Sequence, residues 1–174
     1  MPYIVKTYGE GEFLTPSGMN TNVRDNFQAL KAPPTDVVNG ASAFNLDLTS
    51  TSWADVSATL FSATVTAMNA SLASALFVIA TFSVRCSADA TPRSIAFDLT
   101  LNGTSVSGGG GILIARGNLD QIYPVSLFYH IPTATGGSYN ARLRYKVESG
   151  TSRIFMQSGG INNMIPQFAL REMS

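Results

Sequence analysis

"YNARLRYKVE", residues 139–148, decides how the rest of this chain is read. Every second residue is apolar: Tyr139, Ala141, Leu143, Tyr145 and Val147. The residues between them, Asn140, Arg142, Arg144, Lys146 and Glu148, are polar or charged. Successive side chains of a strand point to opposite faces, so the pattern describes a strand with one dry face and one wet face. One-sided strands of this kind belong to antiparallel sheets, in which a single face meets the core.

The period of two recurs on both sides of this stretch. Upstream, Tyr123, Val125, Leu127, Tyr129 and Ile131 form one alternating set, and Ile95, Phe97, Leu99 and Leu101 another. Leu76, Val78, Ala80, Phe82, Val84 and Cys86 line one side of a long strand. Its other side begins with Phe77 and Ile79 and turns polar at Thr81, Ser83 and Arg85, which predicts burial of one end on both faces. Phe44 to Leu48, Ser52 to Val56 and the alternation Thr59, Phe61, Ala63, Val65 give shorter candidates. Downstream come "SRIFMQ" and the closing "QFALRE". Turn chemistry separates the runs. Asn102-Gly103 is the pair preferred in a type I′ hairpin turn, which needs two residues at positive φ. The glycines of "SGGGG", 107–111, predict a mobile turn. Many short strands at regular spacing with turns between them predict an antiparallel β-sandwich or jelly roll.

Only "GEFLTPSGMNTNVRDNFQALKAPPTD", residues 11–36, departs from this period. Thr15 suits a helix N-cap and Pro16 the first helical position. Met19, Val23, Phe27 and Leu30 follow at spacings that stack on one helical face. Pro33 and Pro34 end the helix. The domain reading is therefore an N-terminal attachment or oligomerisation segment, 1–43, with a helix at about 16–31 and a Pro-rich linker. A head of β-sandwich type, 44–174, follows. The apolar stripe can pack on the chain's own sheets or dock on copies and partners; the linker favours docking.

Composition narrows the function. Eleven Lys and Arg balance eleven Asp and Glu, so no net charge draws the chain to nucleic acid or an anionic membrane. Charged residues make up 13 %, well under the roughly 25 % of ordinary domains. A surface so poor in charge predicts that copies or partners cover part of it. No apolar run is long enough to cross a bilayer, and no signal-peptide pattern opens the chain, so cytoplasmic synthesis is expected.

The residues offer little catalytic chemistry. His130 is the only histidine and Cys86 the only cysteine. Both read as ordinary residues of strands, Cys86 as a buried thiol. Asp47, Asp55, Asp98 and Asp120 are scattered without calcium-loop spacing, and no metal is expected. Neither a catalytic residue nor a cofactor site is expected, and the chain is read as a non-enzyme. The cationic stripe Arg142, Arg144, Lys146 could hold an anionic polysaccharide, but the reading preferred here is a solvated strand face.

Residues 11–36 also resemble the N-terminal segment of a group of bacteriophage structural proteins. The resemblance is carried by Leu14, Thr15, Ser17, Asn20, Arg24, Asp25, Asn26, Ala29, Leu30, Lys31 and Pro33. "TSTSWADV", residues 49–56, and "PQFALRE", residues 166–172, are similar to the β domain that follows in that group. Gly18-Met19 departs from its more helix-favouring pattern. The resemblance implies a virion protein of tail-fibre, tail-tip or head-fibre type, assembled in the host cytoplasm. It implies a jelly-roll head like that of tumour necrosis factor, a homotrimer, with the N-terminal segment bound to other virion proteins. Host-surface glycan contact is expected, if anywhere, at loops Gly108, Gly109, Gly110, Gly111 and Thr133, Thr135, Gly136, Gly137. A capsid decoration protein, a soluble carbohydrate-binding module with Trp53 or Tyr139 as sugar platform, and a β-sandwich glycosidase remain as alternatives.

Overall fold

The computed structural model describes residues 35–39, 45–67, 74–119, 121–134, 137–155 and 165–173. The helix expected at about 16–31, with Met19, Val23, Phe27 and Leu30, lies outside them, as do Thr135 and Gly136.

Two antiparallel sheets face each other, and each has four lanes. The first sheet centres on β5 (Ser74–Arg85). On one side β5 pairs with β9 (Ile122–Ala134). On its other side lie β12 (Gln167–Met173) and β11 (Ser152–Phe155), end to end in one lane. The outer lane is β1 (Thr35–Asn39) against β12 and β2 (Asn45–Leu48) against β11.

The second sheet centres on β10 (Gly137–Val147) and β6 (Arg93–Leu101), which pair from Ala141↔Leu101 to Val147↔Ile95. Flanking β10 are β3 (Ala54–Asp55) and β4 (Ser62–Ala67). Flanking β6 are β7 (Thr104–Ser105) and β8 (Leu113–Gly117). The chain passes repeatedly from one sheet to the other, which makes this an antiparallel β-sandwich of jelly-roll type, as the strand pattern predicts.

The alternating positions supply the core. Ala141, Leu143, Tyr145 and Val147 point inward from β10, and Leu76, Val78, Ala80, Phe82 and Val84 from β5, all buried. Between the sheets Phe61 meets Phe82 edge-on at 5.6 Å, and Phe82 meets Phe97 at 4.9 Å. Edge-to-face contact places ring edges against ring faces, the arrangement favoured by the ring quadrupole. Cys86 is fully buried among them, and burial pushes its thiol up to about 11.

Three local expectations need correction. Residues 35–39, inside the stretch taken for a linker, are a strand: Val37 and Val38 are β-branched, and the backbone pairs with β12 from Thr35↔Arg171 to Asn39↔Gln167. Asp36 Oδ2 accepts the Thr64 backbone N–H at 2.7 Å, so β1 also ties the two sheets at that edge. Thr59 is exposed outside any strand, and β4 starts only at Ser62. Phe77 and Ile79 are half-buried, so β5 is not covered on both faces within one chain.

The glycine loop has serine anchors of its own. Ser107 Oγ accepts the backbone N–H groups of Gly109 and Gly111, at 3.2 and 2.9 Å. The turn at Asn102-Gly103 has φ of 50° and 82°, the two positive values that a type I′ turn requires.

Candidate functional site

The outer, wet face of the second sheet carries the densest set of polar side chains among the described residues. Its spine is the polar set of β10. The sequence puts Asn140, Arg142, Arg144 and Lys146 on that face because Ala141, Leu143, Tyr145 and Val147 are committed to the core. Tyr145 reaches through: its hydroxyl accepts the backbone N–H groups of Thr49 and Ser50, each at 3.3 Å. That fixes the segment leading into β3, and with it Trp53 and Asp55.

Asp55 then meets two guanidinium groups. Arg142 donates to its Oδ2 at 2.9 Å, and Arg144 Nε lies 3.7 Å from its Oδ1. Arg142 Nε also donates to Asn140 Oδ1 at 2.9 Å, and Arg144 donates to the Trp53 carbonyl at 2.9 Å. The cationic stripe is therefore no free row of charges. Each guanidinium is held at two points, with N–H donors left over.

The glycine loop completes the face. Trp53 Nε1 donates to the Gly109 carbonyl at 3.0 Å. A Cβ at Gly111 would stand 3.1 Å from the Trp53 ring, and its φ is +83°, so glycine lets loop and indole pack together. Below the loop lies Asp98, fully buried although it sits on the outward register of β6. Ser105 Oγ donates to Asp98 Oδ2 at 2.6 Å and accepts the Gly109 N–H at 2.8 Å. Asp98 stands in register with Arg144 across the sheet. Its Oδ1 has no hydrogen-bond partner.

Two clefts flank this centre. The larger, about 430 Å³, is lined by Asp55, Thr100, Asn102, Asn140, Arg142 and Arg144. The smaller, about 260 Å³, includes Trp53, Gly110, Ile114, Lys146 and Glu148. Glu148 accepts the Ser94 N–H, which holds its carboxyl below the usual range, helped by Arg116 and Arg93.

Of the two loops named from sequence, the described residues are set apart. Gly108 to Gly111 lie over this face, beside Trp53. Gly137 pairs with Ala67 at the far end of β10, seven residues from Arg144, or about 23 Å along the strand. The backbone of Thr133 belongs to β9. Sequence reasoning missed Asp55, Asn102, Thr100 and Asp98 as a group with β10. The only sequence signal was that all sit at outward positions of strands or in a tight turn.

The outer face of the first sheet is different. Val37, Ala169, Ile79 and Phe128 are successive partners across β1, β12, β5 and β9, so one apolar row spans the sheet. Phe128 is 66 % exposed and Val37 49 %. Beside the row, His130 stacks on Phe77 with ring centres 4.8 Å apart. Among the described residues, no three His, Cys, Asp or Glu side chains gather as a metal site.

No protein-family model matches this sequence, and comparison with curated proteins gives no match. Among solved structures the chain is similar to that of Eiger TNF from S. frugiperda. The TM-score is 0.38 at 13 % identity, over 82 % of this chain and 94 % of that one.

Proposed function

We propose that this chain is a non-enzymatic structural protein of a bacteriophage particle. Its β head associates with two further copies, and the segment before β1, within the 1–43 read as an attachment region, binds other virion proteins. The protein assembles in the host cytoplasm and takes no cofactor.

The observation that carries the assembly is the apolar row Val37, Ala169, Ile79, Phe128, exposed at Val37 and Phe128 and half-buried between them in a single chain. An exposed apolar surface is stabilised by removal from water, at roughly 25 cal/mol per Å² before the costs of association. A chain with only 13 % charged residues offers little to oppose that contact. The virion setting is supported by the likeness of residues 11–36 to phage structural proteins. Identical attachment segments on one head would add avidity through effective concentration.

Sedimentation of the purified full chain tests the assembly. A species of three times 18.5 kDa is expected, and a persistent 18.5 kDa species at high concentration counts against it. Electron microscopy of the whole particle with this chain located tests the setting: density on tail or fibre supports it, and absence from the particle removes it.

A further inference from the structure

We propose that the outer face of the second sheet is a groove for an uncharged oligosaccharide, with Asp55, Asn140, Arg142 and Arg144 as the hydrogen-bonding centre and Trp53 as the apolar wall. The inference needs only that this face be accessible. It does not depend on the oligomeric state.

Ion pairing at the centre of the face selects the ligand class. Arg142, Arg144, Lys146 and Arg116 stand on the face with Asp55, Glu148 and the buried Asp98, so carboxylates offset part of the cationic charge. Arg142 and Arg144 are already engaged by Asp55. A polyanion would gain little there, because each phosphate or carboxylate would compete with Asp55 for the same guanidinium groups. A sugar hydroxyl is both donor and acceptor. It can accept from an unused guanidinium N–H and donate to a carboxylate or amide oxygen at the same site.

The Arg142 donor is also pre-positioned. Asn140 Oδ1 accepts its Nε, and the Asn140 amide is itself fixed by donating its Nδ2 hydrogens to Thr64 Oγ1 at 2.9 Å and Ser62 Oγ at 3.1 Å. Asn102 Oδ1 accepts the Asn140 N–H at 2.8 Å. Side chains already immobilised lose little further freedom when a ligand binds.

Shape agrees with a chain of rings rather than one compact molecule. The two clefts follow one strand from Arg142 to Glu148, about 20 Å along its length. The Trp53 indole lines the smaller cleft, where the apolar face of a sugar ring can rest on it.

Trp53 is the only tryptophan of the chain, so its emission reports on the groove alone. The test titrates the full-length protein with maltohexaose, mannohexaose and chitohexaose as neutral probes and with hexagalacturonate as an acidic one. At least one neutral probe is expected to shift Trp53 emission saturably, with little effect of added salt. Arg142→Gln is expected to weaken that binding roughly tenfold, as loss of a charged hydrogen bond would. Gly110→Gln, at an exposed position of ordinary φ, is the second variant: it fills the smaller cleft without touching the ion pairs. It is expected to weaken binding with an unchanged melting temperature. No neutral probe shifting the emission overturns the proposal. So does salt-sensitive binding of the acidic probe only, which would mean an anion site, or equal affinity in Gly110→Gln and the parent.

Discussion

At the scale of single residues, two positions show why composition alone says little. Gly117 ends β8, and a Cβ there would stand 2.5 Å from Cε2 of Tyr123 and 2.8 Å from its hydroxyl. The tyrosine ring occupies the space that any other residue would need. Gly117→Ala must therefore displace that ring, and overpacking of this kind costs about 1–3 kcal/mol. A lowered melting temperature checks it. Nothing in "IARGN" announces this glycine, because the clash is with a ring six residues on. Cys86 was legible: it directly follows β5, continues its dry register and is buried. Its thiol is raised from 9 to about 11 by burial, so the unfolded chain ionises first as pH rises. The stability this group contributes is complete below pH 9 and is lost as pH climbs toward 11, at about 1.4 kcal/mol per unit. The melting temperatures of the parent and of Cys86→Ala, measured from pH 8 to pH 10.5, are expected to converge. Parallel curves would refute the assignment.

At the scale of elements, the strands were readable because core packing enforces a strict period of two. The outward face was not, because a register says which way a side chain points and not what lies over it. Asp98 shows the difference. It alternates correctly with Phe97 and Leu99, yet β7 and the glycine loop close over it. The glycine spacing gave no sign of the serine hydroxyls at 105 and 107 and the Trp53 indole that bond to the loop backbone. Thr35–Asn39 went unread as a strand because flanking prolines and polar residues mask a short β-branched pair. The relay from Gly109 through Ser105 to Asp98 makes a definite prediction. Asp98→Ala takes the 2.6 Å acceptor from the Ser105 hydroxyl, leaving it Ser107 Oγ at 3.3 Å, and frees the loop from its floor. A loss of about 1–3 kcal/mol is expected. It should appear together with a changed Trp53 emission, since the indole rests on the same loop. A stable variant with unchanged emission would show that the loop is held without Asp98. The hairpin turn offers a simpler case: Gly103→Val should destabilise through φ alone, because a Cβ there meets nothing within 4 Å.

At the scale of the whole molecule, the sandwich has two outer faces of opposite character, and that contrast argues for two different uses. One is polar, laced by ion pairs and furrowed. The other has an apolar row from edge to edge, with its widest exposure at Phe128 on β9. Sequence hinted at the second through low charge and through Phe77 and Ile79, but the row itself joins residues 37, 79, 128 and 169 and exists only once register is set. Phe128 separates association from folding. Its ring is 66 % exposed, so Phe128→Asp removes little from the chain's own core and surface substitutions of this kind stay within about 0.5 kcal/mol. In an assembly that covers this face, the same change buries a carboxylate without a partner, which costs several kcal/mol at each copy. Sedimentation of Phe128→Asp is expected to give the 18.5 kDa chain where the parent gives a multiple of it. Circular dichroism should remain that of the parent. A variant that still sediments as an oligomer would move the contact off this face. A variant that unfolds as it dissociates would mean that the head holds together only in company. Loss of size with retained fold is the outcome that assigns the apolar row to neighbours rather than to the chain's own stability.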